Sequence, residues 1–338
     1  MEKQEMTERL ERFIREQGGF AKVEIENLYR MAGGASREIW SFDAVLEKDG
    51  ATSKRGLVLR RDPGEHKIAT NRRAEFMVLR AAYREAVAVP EVLWVSEDPA
   101  VLGAAFFIME RVEGETLARR LLRDPEYARA RDAMPGQLAE ILAQIHRIDL
   151  DPHRHQLDFL APPGDNAALT EVRRYEQNFR ALALEPHPAF ELAFRWLLER
   201  IPKTPRQTLV HGDYRIGNVI FGPEGVRSIL DWELAHLGDP MEDLGWMCVR
   251  AWRFGNDRKP VGGLGTREEF FAAYARASGV AVDPEAARFW EVFGNLRWGI
   301  ITISQARTHI DGFVKSVELA SIGRRTAETE LELLNLIE

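Results

Sequence analysis

The sequence predicts an α+β chain of two lobes, a small one built on an antiparallel sheet and a larger one that is mainly helical. Three observations predict it. Short apolar or alternating runs separated by turn residues fill most of the chain before residue 114. Amphipathic helical stripes dominate the remainder. Within that remainder two β-type runs, NVIF and VRSIL, are joined by the turn GPEG and flanked by acidic residues. A chain of 338 residues can bury two cores, and the lobes are expected at 1–113 and 114–338.

From Thr7, the residues Leu10, Phe13 and Ile14 fall at helical spacing before Gly18 and Gly19, so an amphipathic helix opens the chain. SREIWSFDAVL, a polar KDGATSKRG loop and LVLRR then read as strand, loop and strand. Glu65 to Glu85 read as a long helix, with Phe76, Leu79 and Tyr83 as its apolar stripe and Glu75 beside them. VPEVLWVSED and AAFFIMERVEG are strands that close the first lobe near Gly114. In the second lobe Leu138, Ile141, Leu142 and Ile145 mark one buried helical face, and residues 264–338 return to helix after the hairpin.

Composition narrows the function. The formal charge is −7, from 46 basic and 53 acidic residues dispersed along the chain, so no basic block offers a footprint for nucleic acid. The single cysteine, Cys248, excludes an internal disulfide. The opening MEKQEMTERLERF is charged where a secretory leader is apolar, and no apolar run is long enough to span a membrane. A cytoplasmic protein with a small-molecule partner is expected.

The chemistry concentrates between His211 and Glu233. Phosphoryl transfer from a nucleotide requires a carboxylate to position the acceptor hydroxyl, oxygen ligands for Mg²⁺, and cations or backbone N–H groups around the phosphates. Asp213 follows an apolar run, and Asn218 lies five residues on, the D-x-x-x-x-N spacing of a kinase catalytic loop. The hairpin that starts at Asn218 returns the chain to Asp231, which brings an amide oxygen and a carboxylate toward one hard cation. Any one of these residues alone equally fits a turn or a helix cap.

HGDYRIGNVIF with ILDWELAHLGDP resembles the aminoglycoside phosphotransferase and choline kinase superfamily, which has the protein-kinase-like fold. The resemblance covers nearly the whole chain. MAGGASREIWSF, VLRRDPG and HGDYRIGN are most similar to the phosphotransferase domain fused to animal acyl-CoA dehydrogenases and its free-standing bacterial relatives. The resemblance implies Asp213 as catalytic base, Asn218 and Asp231 as Mg²⁺ ligands, His211 as the residue that orients the loop, and Asp243 as its brace. It places Gly33, Gly34 and Ser36 over the nucleotide phosphates, although a Gly-Gly pair also suits a plain hairpin turn. Arg60 stands where the family presents a lysine, with Glu75 as its helix partner and Arg61 as the other candidate for the charge; an ordinary ion pair is the alternative. Glu110 to Val112 occupy the hinge that offers backbone hydrogen bonds to adenine.

The implied activity is transfer of the γ-phosphoryl group of ATP, with Mg²⁺, to the hydroxyl of a small molecule. A hydroxyacyl-CoA is the acceptor implied by the dehydrogenase-fused relatives. Phe289, Trp290, Phe293 and Trp298 with Arg297, and Arg250 and Arg253 around Trp252, are the expected groove for it, or else packed core with solvated arginines. Two other functions stay open: an aminoglycoside or macrolide phosphotransferase, and a silent nucleotide-binding module favoured only by the missing lysine. His153 and His155 lack a third ligand at metal spacing and read as loop. The residues leave ATP against GTP and the oligomeric state open.

Overall fold

The computed structural model describes residues 2–31, 38–62, 71–204 and 206–338. Gly33, Gly34 and Ser36 lie outside the described residues. The chain divides into two compact units, one of Met1–Glu113 with His153–Phe159 and Ser228–Glu233, the other of Gly114–Pro152, Leu160–Arg227 and Leu234–Glu338. Two later segments thus group with the first unit although they follow residue 113.

The first unit opens with helix α1 (Lys3–Gly18), followed by strands β1 (Lys22–Arg30), β2 (Glu38–Lys48) and β3 (Ala51–Arg61), helix α2 (Arg72–Arg84), strand β4 (Val92–Ser96), the short α3 (Pro99–Leu102) and β5 (Phe106–Glu110). The strands form one antiparallel sheet in the order β1-β2-β3-β5-β4. Helix α1 lays Met6, Leu10, Phe13 and Ile14 on a core with Phe42, Leu57, Leu59, Phe106 and Ile108. Burying each such side chain stabilises the unit by about 1.5–3 kcal/mol.

Two local expectations are corrected here. The polar stretch read as the loop KDGATSKRG is mostly strand, because Asp49 (φ 53°) and Gly50 (φ 76°) make a two-residue turn that takes the chain straight into β3. Strand β1 had no counterpart in the pattern, since Asn27 (φ 53°) sits in a register shift that breaks its alternation.

The second unit carries α4 (Ala118–Arg123), α5 (Ala128–Ile145), α6 (Ala167–Leu182), α7 (Pro188–Leu198), β6 (Thr208–Val210), β7 (Val219–Gly222), β8 (Gly225–Ile229), β9 (His236–Gly238), α8 (Met241–Met247), α9 (Arg267–Ser278), α10 (Pro284–Ile310), α11 (Val317–Ile322) and α12 (Thr326–Ile337). Strands β7 and β8 form the expected hairpin, and β6 pairs antiparallel with β9. The end of β8 belongs to the first unit, where the Ile229 N–H donates to the Ala88 carbonyl at 2.8 Å. Cys248, directly after α8, is fully buried, and burial pushes its thiol well up. Among the described residues no helix is long and apolar enough to cross a membrane.

Candidate active site

In the first unit, Arg60 and Arg61 point to opposite faces of β3, as strand alternation requires. Arg61 pairs with Glu38 of β2 at 2.5 Å. Arg60, 7% exposed, reaches Glu75 on α2 at 2.9 Å and Asp231 at 2.5 Å, with Glu233 at 3.7 Å. Arg72, one turn before Glu75, holds the other Glu75 oxygen and grips Asp62 with two bonds of 2.6 and 2.7 Å. Burial works against the Arg60 charge, but Glu75 and then Asp231 outweigh it and hold the guanidinium firmly protonated. Burial likewise pushes the Glu75 carboxyl up, while Arg60 and Arg72 pull it back. Asp231 is held at φ 68°, a left-handed backbone that costs a non-glycine residue of order 1–3 kcal/mol.

At the end of β5, the Glu110 N–H donates to the Glu91 carbonyl at 2.8 Å and that of Arg111 to Gly56 at 2.9 Å. Val112, the next residue, makes no backbone hydrogen bond among the described residues. His153 is buried against Glu85 at 3.3 Å, and the Trp232 indole donates to the Ile229 carbonyl at 3.2 Å.

In the second unit the chain leaves β6 through His211, which is fully buried, and Gly212, at φ 75°. A side chain at residue 212 would stand 2.4 Å from the Leu234 carbonyl oxygen, so glycine is required there. Asp243 on α8 accepts from both N–H groups of this turn, from His211 at 2.7 Å and Gly212 at 2.9 Å. His146 on α5 holds the same carboxylate at 3.1 Å and is itself bonded to the Tyr274 hydroxyl at 2.8 Å. Burial opposes the Asp243 charge, yet these partners hold its carboxyl below the usual range. His211 accepts at Nδ1 from the Asp213 N–H at 3.1 Å, so the neutral ring carries its hydrogen on Nε2.

Asp213 is then fixed on both oxygens. Its Oδ1 accepts from the Trp246 indole at 2.8 Å and from Arg215 Nε at 3.0 Å, and its Oδ2 accepts from Asn218 Nδ2 at 2.7 Å. Asn218 Nδ2 donates also to the Asp213 carbonyl at 2.9 Å. Both contacts are acceptors, so the amide orientation is determined and Oδ1 is left as an oxygen with no hydrogen bond among the described residues. That atom and the Asp231 carboxylate are hard oxygen donors of the kind Mg²⁺ takes.

The expected acyl groove is corrected. Phe289, Trp290, Phe293 and Arg297 on α10 are at most 2% exposed, and Arg253 is tied to Glu291 at 2.9 Å and Glu332 at 3.2 Å. They form the core, because α10 is covered on nearly every side. A cavity of about 390 Å³ opens instead where Arg250, Phe254, Asp257, Trp298, Arg325 and Glu328 meet. Phe254 and Gly255 separate it from a second recess of about 490 Å³ carrying Arg119 and Arg123 on one face of α4. The Arg215 guanidinium lies 4.8 Å from the Trp252 ring, which packs edge-on at 4.8 Å against Trp298 of the first cavity. Arg215 and Arg72 were not anticipated, and Arg297 was expected in a groove rather than in the core behind the Asp213 turn. Arg215 stood inside the D-x-x-x-x-N spacing itself, whereas nothing local marked Arg72.

Residues 37–290 match the sequence model of the phosphotransferase enzyme family. The chain belongs to that family. A protein of Ralstonia eutropha carrying the aminoglycoside phosphotransferase designation superposes over 98% of both chains, with 26% identity and a TM-score of 0.76. A spectinomycin phosphotransferase in complex with ADP and spectinomycin shares the fold, with a TM-score of 0.64 over 97% of this chain and 98% of that one at 12% identity. The phosphotransferase thus has the α+β kinase-like fold. In sequence it is 32% identical over 239 residues to mouse acyl-CoA dehydrogenase family member 10, covering 67% of this chain and 22% of that protein. It is 30% identical over 221 residues to acyl-CoA dehydrogenase family member 11 of Pongo abelii, covering 61% and 27%. The chain therefore spans about a quarter of these relatives.

Proposed function

We propose that this phosphotransferase is an ATP-dependent kinase for the hydroxyl group of a small molecule, with a hydroxyacyl-CoA as its acceptor. The observation that carries the reading is the Asp213 carboxylate, aimed by Trp246, Arg215 and Asn218. A carboxylate so fixed is suited to orient an acceptor hydroxyl and take its proton as the new O–P bond forms and the bond from the γ-phosphorus to the bridging oxygen of ATP breaks, releasing ADP. The family pattern makes Asn218, through Oδ1, and Asp231, through its carboxylate, the residues that would each offer oxygen to Mg²⁺, which when bound neutralises charge on the β- and γ-phosphates. Val112 offers the backbone groups for adenine. Arg60 supplies the cation where the family has lysine, and Arg61, tied to Glu38, is the weaker candidate.

The acceptor class rests on the dehydrogenase relatives and on the second unit's two recesses. Arg119 and Arg123 make no ion pair among the described residues, and with Trp298 and Phe254 they supply cations and aromatic surface, which suits an anionic thioester better than a polycation. A panel of hydroxyacyl-CoAs of several chain lengths, free hydroxy acids, choline and kanamycin, read by ADP release with Mg·ATP, tests it. A hydroxyacyl-CoA should give the highest kcat/KM and kanamycin none. Kanamycin phosphorylation without thioester activity would establish the antibiotic-modifying alternative instead.

A further inference from the structure

We propose that His236, Glu242 and Arg297 form a ring of charges, buried at Glu242 and Arg297 and half-buried at His236, that positions Asp213, the ring closing on the backbone one residue before it. The proposal rests on the reading of Asp213 as base and adds three positioning residues to it. All members lie in the second unit.

The ring is traced atom by atom. Arg297 Nη2 donates to the Gly212 carbonyl at 2.8 Å, and Arg297 Nη1 pairs with Glu242 Oε1 at 3.0 Å. Glu242 Oε2 lies 3.2 Å from His236 Nε2, and His236 Nδ1 is bonded to the Leu234 carbonyl at 2.9 Å. The Leu234 carbonyl is the group packed so tightly on Gly212 that a side chain would come within 2.4 Å, so the circuit ends where it began. A second arm leaves Arg297 through its guanidinium, centred 4.4 Å from the Trp246 ring, and reaches Asp213 Oδ1 through the indole N–H at 2.8 Å. Backbone and side chain of the Asp213 turn are thereby referred to one arginine that is 2% exposed.

The chemistry fixes the state of His236. A carbonyl only accepts, so Nδ1 carries a hydrogen; a neutral ring would then turn the Nε2 lone pair toward a carboxylate oxygen. The contact is attractive when Nε2 is protonated too. Burial works against that charge, but Glu242, the Leu234 carbonyl and Glu171 outweigh it and raise the imidazole to about 9. The charged groups around the ring are Glu171, Glu242, Arg174 on Glu171 and Arg297 on Glu242. Ligand atoms of Glu171, His236 and Glu242 lie within 4.8 Å of one another, a spacing that also admits a metal ion. Each carboxylate already has its own guanidinium, which leaves a proton as the cation that fits. A buried ion pair adds little stability over apolar packing, so the role assigned to this ring is the geometry it imposes on the turn.

Arg297→Met strands Glu242 in the interior and risks the fold, so the test uses His236→Gln, which keeps a donor for Glu242 and removes the charge. With the hydroxyacyl-CoA and Mg·ATP, kcat should fall about tenfold with both KM values within about twofold of the parent, the pattern of a lost transition-state alignment. Trp246→Phe should lose a similar factor, and the double variant less than the product of the two, because both act through Arg297. Adding His236→Gln to Asp213→Asn should cost nothing more. Unchanged kcat in folded His236→Gln, or the same tenfold loss on the Asp213→Asn background, overturns the ring. So does one equivalent of divalent metal in the purified protein that disappears in His236→Gln. If Asp213→Asn alone keeps parental kcat, the base assignment fails separately. Amide hydrogen exchange at Gly212 and Asp213 then decides the ring: faster exchange in His236→Gln supports it, and unchanged exchange refutes it.

Discussion

The two units handle buried charge in opposite ways. In the first, Arg60 and Arg72 face Asp62, Glu75, Asp231 and Glu233, so carboxylates outnumber cations and the two guanidinium groups are shared among them. In the second, the Asp213 carboxylate is outnumbered by its donors, Trp246, Arg215 and Asn218. An excess of acid is a place that gains from one more cation, whereas a carboxylate saturated with donors gains direction. The comparison separates a part of the phosphotransferase suited to metal and phosphate from a part suited to aim.

The sharpest test of that contrast is Asp213→Asn, which preserves shape and removes the carboxylate proposed as base. Loss of a general base costs roughly 10²–10⁴ in rate. Steady-state ADP release should show that loss in kcat with ATP binding intact; a parental kcat would place the base elsewhere. Next in size is Arg60→Met. Breaking a buried ion pair from one side costs about 3–5 kcal/mol, and denaturant unfolding should approach the lower end because Arg72 still holds Glu75. Arg60→Lys should recover a good part of that stability and of the KM for ATP. If Met, Lys and the parent unfold alike, Arg60 does not organise the acidic cluster.

Asp231→Ala should lower Mg·ATP affinity on the order of a hundredfold, about 2.8 kcal/mol, and Asn218→Ala about tenfold, since an amide oxygen brings no net charge. ATP titrated without magnesium should bind both as it binds the parent; a deficit that persists without metal would remove them from the metal site. The smallest expected effect concerns pH. His236 is raised in the folded protein from 6.5 to about 9, so its contribution to stability is fully present below about 6.5 and disappears as pH climbs through about 9. The Tm gap between parent and His236→Gln should be widest in mildly acidic buffer and close above pH ~9.5. A gap that widens with pH would show that the ring histidine is neutral.

Much of this was legible in the sequence, for identifiable reasons. Asp213 and Asn218 stood out because their loop is local, and spacing in the chain fixes spacing in space. Helices α1 and α5 were legible because each buries one face. Helix α10 was not, since a helix apolar around most of its surface gives no period from which to tell groove from core. Arg297 meets Gly212 across 85 residues, a separation that no window of sequence reveals. The Arg60–Glu75 pair was anticipated from the family pattern, but that pattern does not contain its extension to Arg72 and Asp62.

Cys248 gives the molecule an unplanned reporter. It is the chain's single thiol, fully buried directly after α8 of the second unit, and its raised pKa suppresses the reactive thiolate. Alkylating reagents will therefore modify the folded protein only as fast as that region opens to solvent. Because α8 also carries Asp243 and Trp246, the rate of labelling at one sulfur reads how often the scaffold behind Asp213 comes apart, and any ligand that slows it has tightened that scaffold.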